Sequence, residues 1–142
     1  LQEVLARGTP FFGVCLGLQI LLETSEEHER PCLAAVAGKV KHLPAGAKVP
    51  HMGWNRVSLT REHPVFQGIP PEPYFYFVHS YYAEPEEPSL TVGTTDYMVT
   101  FCSVLGKGNL IATQFHPEKS GPLGLQLYEN FVRHMVMNGD SP

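Results

Sequence analysis

The chain has 142 residues, 43% of them hydrophobic and 17% charged, with a formal net charge of −4. That length suits one domain with a substantial core, and that composition excludes a disordered polypeptide. The acidic balance argues against nucleic acid as the main partner, no apolar run reaches membrane-spanning length, and the opening residues do not read as a signal peptide.

Residues 1–7 carry a helical pattern that Gly8 ends, with no Met before it; the chain reads as one that has lost its true beginning. Pro10-Phe11-Phe12 is a short buried strand, and the i, i+3, i+4 spacing of apolar residues over 18–23 predicts a helix. Residues 24–31 are polar and acidic, a loop. Residues 38–43 alternate as a strand, and 48–55, with the lone Trp54, read as irregular. A strand follows over 56–60 and a turn or single helical turn over 63–68. Tyr74-Phe75-Tyr76-Phe77-Val78-His79 is strongly β-prone and is expected at the centre of the sheet. Residues 85–88 form a solvated loop, and strands are expected over 90–95, 99–105 and 109–115. Leu123, Leu127, Phe131 and Met135 at four-residue steps predict an amphipathic helix, N-capped by Ser120 with Pro122 in its first turn; the tail over 138–142 frays.

Gly13-Val14-Cys15-Leu16-Gly17 joins the first strand to the helix after it. G-x-C-x-G at such a junction looks like a nucleophile elbow with cysteine in the serine position. Glycines leave room at a sharp turn, and a helix N-terminus next to the sulfur favours thiolate. A buried cysteine in a glycine-punctuated turn fits the same residues. A cysteine nucleophile needs a base. His116 ends a buried strand, and Glu118, two residues on, faces the same way in extended chain, so its carboxylate can orient the imidazole. His79 is a rival base without a nearby carboxylate in sequence. Cys15, Cys32 and Cys102 show no C-x-x-C spacing, which argues against a disulfide scaffold or a zinc site and suits a reducing cytoplasm.

Gly13-Val14-Cys15-Leu16-Gly17-Leu18-Gln19 with His116-Pro117-Glu118 resembles the class I glutamine amidotransferases, whose triad is Cys-His-Glu. Val49-Pro50-His51-Met52-Gly53-Trp54-Asn55, Tyr76-Phe77-Val78-His79-Ser80-Tyr81 and the extension to Lys119-Ser120-Gly121 look like the branch that supplies the glutaminase subunit of imidazole glycerol phosphate synthase. The resemblance implies an α/β, flavodoxin-like fold: a mostly parallel sheet flanked by helices, the first strands of the domain absent, one truncated domain over residues 1–142. It implies a cytoplasmic glutaminase that pairs with a (β/α)8-barrel cyclase in histidine biosynthesis. Cys15, His116 and Glu118 would be catalytic; Leu16, Gln19, Glu27, Ser80 and Tyr81 would bind glutamine, the last two largely through backbone; Trp54, Tyr76 and Lys119 would lie at the cyclase interface. No cofactor and no metal is implied. Against the family pattern, no glycine-rich strand precedes Cys15 to complete the oxyanion hole, residues 28–37 are not glycine-rich, and Met98 stands where glycine is usual. A lost oxyanion donor costs about a hundred- to a thousand-fold in turnover. The remaining readings are a glutaminase of another synthase, a hydrolase that channels no ammonia, and a docking module that binds the cyclase without turnover.

Overall fold

The computed structural model describes residues 1–27 and 30–137. Helix α1 (Gln2–Ala6) leads into strand β1 (Phe11–Val14) and the one-turn helix α2 (Leu16–Gln19). Two-residue strands β2 (Thr24–Ser25) and β3 (Arg30–Pro31) precede β4 (Gly38–His42), β5 (His51–Arg56) and β6 (Ser58–Leu59). After a 3-10 turn at Pro64–Phe66 come β7 (Tyr74–His79), β8 (Tyr81–Pro85), β9 (Thr91–Tyr97), β10 (Val99–Lys107) and β11 (Leu110–Thr113). A 3-10 turn, Pro117–Lys119, leads into α3 (Gly121–Phe131) and a wider π-type turn, Val132–Val136.

Nine strands form one sheet along the path β1-β11-β10-β8-β4-β2-β3, with β9 paired to β10 and β6 to β9; β5 and β7 form a second, two-stranded sheet. The α/β class holds, but the sheet is mixed where a mostly parallel one was expected: β1–β11 and β2–β4 are parallel, and the other ladders are antiparallel. The physical reason is the connections, since neighbours such as β9 and β10 are joined too tightly for the crossover that parallel pairing needs.

Both faces of the large sheet are covered. β11 is buried at all four positions, and its alternation sends Ile111 to one cluster and Leu110 and Ala112 to the other. The first cluster lies under β5–β7 and α3 and includes Phe75, Phe77, Phe101, Phe115 and Leu127. The second packs Leu18, Leu21, Leu22 and Val36 against Val40 and Leu105. The helical stripe on the last segment is as expected, with Leu127 and Met135 buried and Leu123 and Phe131 packed beside them.

Several local expectations change. Residues 48–55 contain β5, because each residue from His51 to Arg56 finds a partner on β7 and Gly53 takes φ +126 within the strand. β7 is not central: β5 takes one edge, and the chain segments around Cys15 and His116 take up backbone groups of Tyr76 and Val78. The helix over 18–23 shrinks to one turn because Glu23 turns to β4, its N–H donating to the Gly38 carbonyl and its carboxylate accepting from the Gly38 N–H. Residues 24–31 include two short strands, and the strand at 81–85 gave no signal in sequence. The Ser120 hydroxyl does not cap α3; it donates to the His116 carbonyl at 2.6 Å and accepts from the Tyr76 N–H at 2.9 Å. The expected fraying over 138–142 lies outside the described residues.

Candidate active site

The parallel pairing of β1 with β11 sets the site. Val14 lies opposite Thr113, so Cys15 and the stretch ending in His116 leave the same end of adjacent strands. The Cys15 N–H extends the ladder by donating to the Thr113 carbonyl at 2.7 Å, and the chain then turns sharply, with Cys15 at φ +54, ψ −103. A non-glycine residue there is held in a costly conformation by its surroundings. Of the two elbow glycines only Gly13 is forced by space: a Cβ there would sit 2.7 Å from the Gly17 carbonyl oxygen, whereas one on Gly17 would meet nothing.

The His116 side is anchored by its neighbours. Phe115 is fully buried, stacked on Phe75 at 4.1 Å between ring centroids. The Thr113 hydroxyl donates to the Phe115 carbonyl, and the His116 N–H donates to the Tyr76 carbonyl at 2.9 Å. The Cys15 thiol points at the Val78 carbonyl, 3.9 Å away. Tyr76 and Val78 are two residues apart on one edge of β7, about 7 Å of strand, so nucleophile candidate and base candidate lean on a common support. His116 Nδ1 stands 2.8 Å from Glu118 Oε2, and the Tyr128 hydroxyl donates to Glu118 Oε1 at 3.5 Å. Gly124 lets α3 close on this turn: a Cβ there would overlap the Pro117 carbonyl oxygen at 1.8 Å.

The sulfur's surroundings differ from the expected thiolate. Burial pushes the Cys15 thiol above its ordinary range, the Leu16 N–H and the Gln114 amide pull it back only in part, and the Glu118 charge adds to the rise. A one-turn helix is too short to outweigh burial. The net effect favours the protonated thiol over the thiolate.

A cavity of about 530 Å³ opens beside the elbow, lined by Leu16, Gln19, Ser25, Glu27 and Cys32 among others, a size in the range of small-molecule pockets. It gathers three of the five expected recognition residues. Ser80 and Tyr81 are not on its wall. Their carbonyls are taken internally: Ser80 O accepts from the Leu43 N–H, and Tyr81 O accepts from Gln19 Nε2 at 3.0 Å and His79 Nδ1 at 2.8 Å. Tyr81 reaches the cavity through Gln19.

The rival base His79 is buried, hydrogen-bonded through Nε2 to His51 Nδ1 at 2.9 Å, and held down to about 4 first by burial. The interface candidates lie together on the outer face of β5–β7: Trp54 is opposite Tyr76 in register, ring centroids 6.0 Å apart, and 56% exposed. Lys119 is exposed on the turn that Tyr76 ties down through Ser120 and His116. Sequence reasoning passed over Gln114 and Gly124; the available signal for Gln114 was a polar residue inside a buried run.

Among the described residues, no group of three or more His, Cys, Asp or Glu side chains is placed to hold a metal ion, and no helix is long and apolar enough to cross a membrane.

Fold and site together define a mixed-sheet α/β protein organised around a cysteine-bearing strand-to-helix elbow. The class-I glutamine amidotransferase family model matches residues 1–135, and the chain belongs to that family. It is 50% identical over 134 residues to imidazole glycerol phosphate synthase subunit HisH of Dehalococcoides mccartyi, covering 94% of this chain and 65% of that one. It is 51% identical over 138 residues to the subunit of the same name from Moorella thermoacetica, covering 94% and 66%. The chain thus spans just under two thirds of the length of these relatives. A solved glutamine amidotransferase from Thermotoga maritima superposes with a TM-score of 0.62 at 17% identity, over 99% of this chain and 54% of that one, a likeness of fold.

Proposed function

We propose that the protein is the glutaminase subunit of an imidazole glycerol phosphate synthase. In this reading it works in the cytoplasm as a heterodimer with a (β/α)8-barrel cyclase. The cyclase uses the released ammonia to make imidazole glycerol phosphate and AICAR in histidine biosynthesis. The observation that carries the reading is geometric: Cys15 and His116 leave adjacent parallel strands and lean on one edge of β7, with Glu118 2.8 Å from the imidazole. The names of the two relatives favour the histidine pathway over other glutamine-dependent syntheses.

The chemistry follows from the groups. Glu118 accepts from His116 Nδ1–H, which leaves Nε2 for proton exchange. His116 takes the thiol proton as the Cys15 sulfur bonds to the side-chain amide carbon of glutamine. The charge that develops on the amide oxygen is met by the Leu16 N–H. His116 then gives the proton to the departing nitrogen, the C–N bond breaks, and ammonia leaves a γ-glutamyl thioester. Water, deprotonated by His116, cleaves the thioester to glutamate and restores the thiol. Gln19 and Glu27 recognise the amino-acid end of glutamine, Glu27 opposite its α-ammonium, while Ser80 and Tyr81, set back from the cavity wall, act largely through backbone groups, Tyr81 by way of Gln19. Trp54, Tyr76 and Lys119 meet the cyclase, the aromatic pair supplying apolar area with polar tips.

The test is covalent labelling by a glutamine-analogue electrophile, mapped by peptide mass with and without a barrel cyclase. Labelling at Cys15 is expected, and Cys15→Ala should end glutamine-dependent synthesis while ammonia-dependent synthesis continues. Glutamine-dependent turnover that survives Cys15→Ala would refute the triad. A second reading, a docking module without turnover, is favoured by the outer face of β5–β7, where Met52 and Trp54 stand exposed and play no part in the triad. It predicts a complex with the cyclase by sedimentation and no label at Cys15 in a folded chain.

A further inference from the structure

Gln114 is fully buried in a run whose other members are apolar or, like Thr113, satisfied locally. An amide so placed destabilises the fold unless both its ends are bonded. Both are: Oε1 accepts from Gln19 Nε2 at 3.1 Å, and Nε2 donates to Cys15 Sγ at 3.4 Å. The Gln114 N–H is bonded to the Ser103 carbonyl at 2.9 Å, so the residue is fixed from its backbone outward.

The direction of these bonds is dictated from one end. The Tyr81 carbonyl can only accept, so Gln19 must turn its NH2 toward it. The second proton of that NH2 then meets Gln114, which must present its oxygen, and the amide end left facing the sulfur is a donor. On the far side His79 gives its Nδ1–H to the same carbonyl, which leaves its Nε2 to accept from His51 Nδ1–H. His51 Nε2 accepts in turn from the Asn55 amide at 3.1 Å.

We infer that Gln114 is a positioning residue for the Cys15 sulfur: its amide, oriented by Gln19 and the Tyr81 carbonyl, fixes the thiol and stabilises the thiolate that attacks. This rests on the reading of Cys15 as the nucleophile. It accounts for a fully buried amide beside the sulfur, and it adds a role for Gln19 that does not involve substrate. In a site where burial holds the thiol protonated, the Gln114 N–H is one of two donors acting the other way.

The experiment follows alkylation of the full chain by iodoacetamide from pH 6 to 10, with the modification at Cys15 and Cys32 quantified by peptide mapping. The variants are Gln114→Met, close in shape without the donor, Gln114→Glu, which faces the sulfur with a carboxylate, and Gln19→Met at the cavity wall, which removes the orienting partner. Each is checked for native circular dichroism, and Gln19→Met carries the test should the core variants not fold. The midpoint of the Cys15 profile is expected to move to higher pH in every folded variant, furthest for Gln114→Glu, with the Cys32 profile unmoved. At neutral pH the Cys15 rate should fall about tenfold in Gln114→Met, as for loss of one hydrogen bond to a charged acceptor. A wild-type Cys15 that titrates normally, with folded variants titrating alongside it, overturns the role of Gln114 alone. A wild-type Cys15 inert at every pH overturns the nucleophile reading and this inference with it.

Discussion

His79 ends strand β7 and His116 follows strand β11, yet their surroundings make opposite groups of them. His116 keeps a carboxylate at 2.8 Å and part of its ring open to solvent, so a proton arriving on it is met by charge. His79 is buried among Phe77, Phe101 and His51, and its hydrogen bonds run to a carbonyl and a second imidazole. A proton on its Nε2 would face the Nδ1–H of His51. The lesson is that a base needs a counter-charge and an exit, and a histidine with neither is scaffold.

The largest effect that would break this contrast is at His116. Under the proposed function His116→Ala should lower glutamine hydrolysis about 10²- to 10⁴-fold with the melting temperature nearly unchanged, read by ammonia release and calorimetry. Equal loss from a folded His79→Gln variant would erase the distinction.

The next is the pH dependence of stability. His79 titrates near 6.5 when unfolded and near 4 when folded, because burial, then the neighbouring His51 and His116, outweigh the hydrogen bond to Tyr81. The unfolded chain therefore takes up this proton first as pH falls, so the stabilisation is complete above about 6.5 and is lost on the way down through about 4. The loss attributable to His79 is about 3 kcal/mol. His63, lowered to about 4 by burial and then by Arg61, acts over the same window. Urea melts at pH 7.5, 6 and 5 should follow this decline, and His79→Gln should flatten it; an unchanged slope would count against a neutral His79.

Gly124→Ala attacks the support behind His116 instead. The added methyl group meets a backbone oxygen that cannot rotate away, so the turn bearing His116 and Glu118 must shift. A cost at the upper end of about 1–3 kcal/mol in denaturant melts is expected, with turnover lost alongside it. The smallest effect is expected at Met98, which takes φ +63 in the turn next to Tyr97, the residue whose ring stacks on His51 at 4.0 Å. Met98→Gly should raise stability by about 1 kcal/mol on the His51–His79 side and leave turnover alone. A destabilised Met98→Gly would mean that its exposed side chain contributes more than its backbone costs.

What could be read in sequence was what chemistry fixes over short spans. The elbow, the pairing of His116 with Glu118 and the apolar stripe through Leu127 each depend on local spacing and are present, although Glu118 reaches the imidazole from the 3-10 turn Pro117–Lys119 and not from the extended chain that the two-residue step implied. β5 could not be read because its glycine and polar residues become a strand only against β7. The centrality expected of β7 failed for the opposite reason: its β-propensity was correctly read, but propensity does not say which edges are paired. Gln114 and Gly124 derive their importance from atoms that lie far away in sequence or belong to another element, Cys15 for one and Pro117 for the other. The Leu16 N–H acts on the thiol in the expected direction, but the burial that opposes it is a property of the whole fold.

The backbone of Cys15 has a consequence on an evolutionary scale. At φ +54 the position suits glycine better than any residue with a Cβ, and relief of that strain, about 1–3 kcal/mol, would exceed the roughly 0.5–1 kcal/mol that glycine's extra freedom in the unfolded chain takes back. The nucleophile candidate is thus a residue its own fold would exchange if stability were the only criterion. A lineage released from selection for turnover should drift toward glycine there and grow hardier as it does so. Under the proposed function, what offsets the cost of a cysteine in that turn is the work of its sulfur.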